Sequence, residues 1–207
     1  MGIELVTTDG FFALDGGEWA VTNNIWLVGD DREVLIFDAA HDHEPIVSAV
    51  AGRRVAGIVC THGHNDHINA AGALAEAVDA PIWLHPDDTM LWEVLYPNRP
   101  PDRWLGQGEV VTGGGHELGV LHTPGHSPGC CCFHDVDSGL VISGDTLFCG
   151  GPGATGRTYS DEPTILASIR DRLLVLPDPT IVHTGHGDNT TIGDERGRVL
   201  DRIAELA

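Results

Sequence analysis

Lysine is absent from this 207-residue chain: its eleven basic side chains are all arginines, set against 31 acidic ones, for a formal charge of −20. So little positive charge argues against nucleic acid or anionic membrane as a partner, because both are gripped by Lys and Arg. Long apolar runs are missing too, so no segment is suited to span a bilayer as a helix. The start, Met1-Gly2-Ile3-Glu4, lacks the basic stretch and apolar core of a signal peptide, and a cytoplasmic location is expected. There is no linker, low-complexity tract or internal repeat, and a single domain over residues 1–207 is expected. Cysteines are five, an odd number. Cys60 and the run Cys130-Cys131-Cys132 lie in apolar strand-like stretches and Cys149 in a loop near Asp145, so a reduced compartment with buried thiols is the simple reading. Cys130, Cys131 and Cys132 are adjacent in a strand-like stretch, so they alternate between its faces and chelate poorly.

Histidine, by contrast, is abundant, with twelve residues. The segment Thr61-His62-Gly63-His64-Asn65-Asp66-His67 follows the apolar run 55–60 and packs three histidines and an aspartate into six positions. Three more candidate ligands each follow an apolar strand: His126 in His122-Thr123-Pro124-Gly125-His126, Asp145 in Ser143-Gly144-Asp145-Thr146, and His186 in Thr184-Gly185-His186-Gly187. Imidazole nitrogen and carboxylate oxygen suit Zn²⁺, and also Fe and Mn. Seven such ligands are enough for two metals. The other histidines carry a plainer reading. His85 stands at a strand-to-helix corner, and His122, His134 and His183 sit in apolar runs as core or supporting groups. His41 and His43 follow Asp38-Ala39-Ala40 and could reach the rim of the site, but both are read as ordinary loop histidines, and His116 carries no signal.

The apolar pattern predicts a β-meander over 10–14, 24–28 and 34–37, a helix over 44–51, a buried strand over 55–60 and one helix over 66–78. A strand over 81–85 and a helix over 87–95 follow, then an irregular loop over 96–106. Strands are predicted at 118–123, 130–134 and 140–143, a Gly-rich loop at 149–156, a helix at 164–176, a strand at 180–184 and a last helix at 194–206. Two packed sheets with helices outside accommodate this order. Each ligand candidate then lies at a strand end, the usual place for a site on a rigid scaffold.

Taken together, Asp38 at the end of an early strand, His62-x-His64-x-Asp66-His67, His126, Asp145 and His186 resemble the metallo-β-lactamase superfamily. Within it, Gly144-Asp145-Thr146-Leu147-Phe148 and Gly156-Arg157-Thr158 are similar to the glyoxalase II and persulfide dioxygenase group. The resemblance implies an α/β fold, a four-layer αββα sandwich, with two Zn²⁺ ions (Fe or Mn as substitutes) at the sheet edge. It implies that His62, His64 and His126 hold one metal and Asp66, His67 and His186 the other. Asp145 would bridge, Asp38 would orient the ligand loop, and Asp66 and Asp145 would be catalytic as well as ligating. The implied activity is hydrolysis of a small-molecule thioester by a metal-bridging hydroxide. A single-iron persulfide dioxygenase and a lactone or other ester hydrolase are the alternatives.

Two departures bear on the substrate. No C-terminal substrate domain is expected, since the chain stops twenty-one residues after His186. The lysine with which the glyoxalase II group binds glutathione is replaced at the matching place by Ala154. A neutral thiol carrier, such as mycothiol, therefore fits better than anionic glutathione. Arg157 is read either as a substrate clamp or as the partner of a loop carboxylate. Arg99 and Arg103 are the other arginines that could replace the lysine, and Trp92, Tyr96 and Trp104 are read as packing residues before substrate wall.

Overall fold

A computed structural model describes residues 2–206. The chain opens with a long hairpin, β1 (Gly2–Leu14) and β2 (Gly17–Gly29), in register along its whole length. Its two-residue turn, Asp15-Gly16, has φ of +54° and +75°. Turns of this hand match the twist of the strands, and Asp-Gly adopts them at low cost. That dipeptide signals the outer half of the hairpin, which the apolar runs 10–14 and 24–28 alone do not reveal.

β3 (Glu33–Phe37) continues the meander, and α1 (His43–Val50) leads to β4 (Arg54–Val59), parallel to β3. Then come α2 (Asn65–Ile68), α3 (Ala71–Val78), β5 (Ile82–Leu84), a 3₁₀ turn (Pro86–Asp88), α4 (Thr89–Leu95) and β6 (Arg103–Trp104). This sheet runs in the order β1-β2-β3-β4-β5-β6. The second half supplies β7 (Val110–Gly113), β8 (His116–His122), β9 (Cys131–Asp135) and β10 (Leu140–Gly144), then a small ribbon of β11 (Leu147–Phe148) and β12 (Gly151–Pro152). After α5 (Glu162–Ser168) come β13 (Ile181–Thr184), β14 (Thr190–Thr191) and α6 (Ile192–Glu205). The second sheet has the order β14-β13-β10-β9-β8-β7.

Both sheets are covered on both faces, which is why their central strands read as continuous apolar runs. Trp26, Val28, Leu35, Phe37 and Val59 point inward onto Leu118, Val120, Phe133 and Ile142, with Phe37 and Phe133 ring to ring at 5.1 Å. The alternate residues Ile25, Leu27, Ile36 and Ile58 face outward onto Ile46, Leu74 and Trp92 of the helices. On the far side Val141 and Val182 meet Ile165, Leu166, Ile169 and Val199. The four layers are helix, sheet, sheet, helix, as the resemblance implied. Among the described residues, no helix is long and apolar enough to cross a membrane.

Four expectations need correction. The helix over 66–78 is broken into α2 and α3. The His67 carbonyl accepts from Ala39 N–H and Ala70 N–H donates to the Ala39 carbonyl, so groups that would continue the helix hold the end of β3 instead. The helix over 164–176 is α5 followed by a wider π turn, Ile169–Leu173. The loop over 96–106 contains edge strand β6, and the Gly-rich stretch 149–156 contains β12. The hairpin strand β7 was not foreseen; Gly114 and Gly115, both at positive φ, form its turn.

Candidate metal centre

Every candidate ligand lies just beyond a strand. The loop after β4 and helix α2 carry His62, His64, Asp66 and His67, and His126, Asp145 and His186 follow β8, β10 and β13. The pairs β3/β4 and β10/β13 are parallel, so their C-terminal ends open on one edge of the sandwich. Backbone bonds stitch the two sheets there: Cys131 N–H to the Thr61 carbonyl at 2.8 Å and Asn24 N–H to the Gly185 carbonyl at 2.8 Å. Asp38, at the end of β3, takes Thr61 N–H on Oδ1 (2.7 Å) and the Thr61 hydroxyl on Oδ2 (2.9 Å), fixing the start of the histidine loop.

The seven side chains converge as two groups joined by Asp145. In the first, His64 Nδ1 lies 3.0 Å from His62 Nε2 and 2.9 Å from His126 Nε2, and His126 Nε2 lies 3.5 Å from Asp145 Oδ2. In the second, His67 Nε2 lies 3.2 Å from His186 Nε2, 3.6 Å from Asp66 Oδ2 and 3.3 Å from Asp145 Oδ1. His186 Nε2 is 3.4 Å from Asp66 Oδ2 and 3.5 Å from Asp145 Oδ2. A tetrahedral cation with bonds of ~2.1 Å sets its ligand atoms about 3.4 Å apart. Both groups match that spacing to within a few tenths of an ångström.

The outward hydrogen bonds decide which nitrogen faces the centre. His67 Nδ1 donates to Asp38 Oδ2 (2.8 Å), His126 Nδ1 to the Ala154 carbonyl (2.7 Å) and His186 Nδ1 to the Thr22 carbonyl (2.8 Å). His62 Nδ1 faces the Thr61 hydroxyl at 3.1 Å. Each of these rings spends its Nδ1 proton outward and presents the Nε2 lone pair inward, as metal-ligating histidines do. Asp145 Oδ1 is buried with no hydrogen-bond donor. A buried, unpartnered carboxylate oxygen beside converging nitrogen lone pairs fits a cation between them and little else.

The electrostatics point the same way. Burial and the neighbouring imidazoles lower His62 well below its ordinary value and His64 to about 3. Burial also acts against charge on His67 and His186, but the surrounding carboxylates, Asp145 foremost, outweigh it; His67 is raised well above its ordinary value and His186 to about 10. Burial works upward on Asp66, yet His67 and His186 hold it at about 2. The carboxylate field that raises His67 and His186 also attracts a metal ion.

Above the ligands lies a cavity of about 210 Å³, walled by Phe12, Val21, Phe148, Ala154 and Arg157. Phe12 and Val21 come from the opening hairpin. The Arg157 guanidinium stacks 4.1 Å from the centre of the Trp19 ring and 5.3 Å from that of Phe12. Arg157 lines the cavity and has no carboxylate within ion-pair distance among the described residues, although Asp15 is close enough to feel its charge. Its neighbour Thr158 is instead clasped by Asp15, through N–H (3.0 Å) and hydroxyl (2.6 Å). Arg99 reaches Gly72 and Glu76, and Arg103 pairs with Glu109, so neither enters this cavity. Trp92 is buried in the helix-covered core with Tyr96 stacked on it, and Trp104 is exposed on β6; none of the three lines the cavity.

Three supporting groups were not picked out from the sequence as part of the site. Asp88 is fully buried and accepts from Gly63 N–H (2.7 Å), Gly129 N–H (2.6 Å) and the Ser127 hydroxyl (2.6 Å), tying together the loops of His62 and His126. Asn23 reaches Asp66 and His67, and His41, read as an ordinary loop histidine, bonds Asn23. A separate set, His85, Asp87 and His122, also lies close together. Its imidazoles are stacked face to face, 4.0 Å apart and 14° from parallel, so their lone pairs do not converge.

Comparison with known proteins agrees with this geometry. The family model of the metallo-beta-lactamase superfamily matches residues 19–186. The chain is 36% identical over 189 residues to the probable metallo-hydrolase YqgX of Bacillus subtilis, covering 84% of this chain and 89% of that protein. It is 35% identical over 193 residues to the hydroxyacylglutathione hydrolase GloC of Haemophilus influenzae, covering 86% and 91%. The solved structure of TTHA1623 in a di-iron-bound form superimposes with a TM-score of 0.77 at 34% identity, covering 90% of this chain and 97% of that one. With its fold, its clustered His and Asp side chains and these likenesses in agreement, the chain belongs to the metallo-beta-lactamase superfamily.

Proposed function

We propose that the chain hydrolyses a thioester of a low-molecular-weight thiol, using two divalent metal ions, zinc foremost, held by His62, His64 and His126 on one side and Asp66, His67 and His186 on the other. The observation that carries this reading is the place of Asp145, whose carboxylate faces His126 on one side and His67 and His186 on the other at 3.3–3.5 Å. Such a pair of ions, when bound, supplies hydroxide near neutral pH and polarises an acyl carbonyl.

The residues around the centre have their own tasks. Asp38 holds His67 and Thr61, and therefore the ligand loop, in one orientation. Phe12, Val21, Phe148 and Ala154 give the acyl group an apolar wall. Beyond the seven donors, Arg157 is the only ionisable side chain lining the cavity among the described residues. No spare carboxylic acid or imidazole stands there to protonate a leaving group. A thiolate needs no such proton, because it leaves as the anion; an alkoxide leaves poorly without one. This favours thioesters over ordinary esters and lactones.

The carrier we infer is a neutral thiol such as mycothiol. Ala154 offers the cavity no charge, Arg157 is the one arginine lining it among the described residues, and the chain's net charge of −20 repels anions at low salt. The similarity to a hydroxyacylglutathione hydrolase supports the reaction class, and the di-iron relative keeps iron among the metals to be tested.

The experiment is metal analysis of protein purified without added metal, followed by rates on S-lactoyl esters of glutathione and of mycothiol across a salt series. Two zinc ions per chain and preferential turnover of the neutral ester at low salt are expected. One iron per chain with consumption of O₂ on a persulfide would establish the dioxygenase reading instead. Equal or better use of the glutathione ester at low salt would overturn the neutral carrier.

A further inference from the structure

The two halves of the centre are supported differently. Beside Asp66 and His67 lies Asn23, fully buried on β2. Its amide Nδ2 is 3.2 Å from Asp66 Oδ2 and 3.3 Å from His67 Nε2. Its Oδ1 is 2.8 Å from His41 Nε2. His41 in turn is gripped twice by Asn69: its own N–H donates to Asn69 Oδ1 (2.5 Å), and its Nδ1 is 3.1 Å from Asn69 Nδ2.

The direction of this chain can be derived rather than assumed. A backbone N–H can only donate, so the Asn69 atom facing His41 N–H is the oxygen. The Asn69 amide nitrogen then faces His41 Nδ1 and donates to it. His41 therefore carries its proton on Nε2 and donates to Asn23 Oδ1. That leaves the Asn23 amide nitrogen, and not its oxygen, turned toward Asp66. Burial lowers the His41 pKa against the pull of Asp66, in keeping with the neutral ring this order requires.

His41 is held for the purpose by the backbone. It sits at φ +58°, a conformation that costs a non-glycine residue energy, and its ring lies under β1 at Gly10, where a Cβ would overlap the imidazole. Strain of this kind persists only where the surroundings enforce it.

We propose that Asn23 and His41 are positioning residues for the Asp66/His67/His186 half of the centre: Asn23 aims Asp66 Oδ2 at His67 and His186, and His41 fixes which way the Asn23 amide faces. This rests on the reading that the seven residues hold two cations. The His62/His64/His126 half has no contact with Asn23 or His41 among the hydrogen bonds of the described residues, so the two cation positions respond differently to loss of the relay.

The test titrates metal-free protein with Co²⁺, following the visible ligand-field bands and competing with a chelator of known affinity. Asn23→Ser and His41→Phe should each weaken one of the two equivalents about ten-fold, the lower end of what a group behind a metal ligand contributes, and the same one in both variants, while the other equivalent keeps its affinity and spectrum. The double variant should be no worse than either single one, because the two residues act in series. General loosening of the fold would weaken both equivalents and add up in the double variant; either result overturns the proposal. Unchanged binding of both equivalents in both single variants overturns it as well. Wild-type protein that takes up fewer than two Co²⁺ ions refutes the two-cation reading itself, which is a separate and recognisable failure.

Discussion

Gly185 stands against Asp145 so closely that a Cβ at position 185 would overlap Oδ1 of the carboxylate. Gly185 also binds the Gly144 carbonyl through its N–H (2.9 Å) and receives Asn24 N–H on its carbonyl (2.8 Å), so its backbone cannot retreat. Glycine is here for space. Gly185→Ala should leave the fold intact by circular dichroism but displace Asp145, with a drop in thioesterase turnover of about a hundred-fold and fewer than two metals retained after gel filtration. Near-normal turnover with two metals would show that Asp145 has room to move.

The Asp145 carboxylate faces both groups of candidate ligands. Asp145→Ala should therefore lower occupancy at both positions, not one, and remove activity. Elemental analysis after dialysis decides this. Two tightly held metals and ordinary turnover would refute the bridging role.

Arg157 is stacked on Trp19 and Phe12 with no carboxylate partner among the described residues. Its planar cation is available to a negatively charged group of the substrate. Arg157→Met should raise KM for the glutathione ester about ten-fold, the scale of one charge-assisted hydrogen bond, while kcat and the KM of the neutral-carrier ester stay within about two-fold. Equal loss on both esters would mean that Arg157 shapes the cavity wall and does not select charge.

Asp88 accepts three hydrogen bonds from the two loops that carry His62 and His126. Asp88→Ala leaves two buried backbone N–H groups without partners and should cost about 3 kcal/mol. For a chain of this size that corresponds to a fall in Tm of about 10 °C. Calorimetry of the metal-free protein measures it directly. A shift of about 2 °C or less would mean that water replaces the carboxylate.

His183, packed edge-on against Trp26 at 4.5 Å, has its pKa lowered by burial to about 4. The unfolded chain then binds a proton at this site more readily than the folded one. Its penalty begins as pH falls through the unfolded value of about 6.5 and is complete below about 4. In metal-free protein, His183→Gln should flatten the loss of Tm between pH 6.5 and 4 relative to wild type. Parallel curves for the two proteins would assign the acid sensitivity to other buried histidines, such as His62 and His64.

The sequence by itself picked out the seven side chains that converge, because metal chemistry restricts candidate donors to a few residue types. Those donors follow strands, and strands are legible as the apolar runs of sheets buried on both faces. The ordered pattern from Asp38 to His186 thus marked the candidate site and its fold. What the sequence could not show was which polar residue far along the chain lies behind each ligand. Asp88 is an ordinary acidic residue in a helical turn, Asn23 an ordinary amide in a strand, and His41 one loop histidine among several; their roles arise from contacts across 18 to 43 positions. Such contacts depend on how two sheets pack and on where one helix breaks, as between α2 and α3, where the backbone of Ala39 outcompetes the helix for hydrogen bonds. Local propensity carries no record of that competition, so only the tertiary structure decided it.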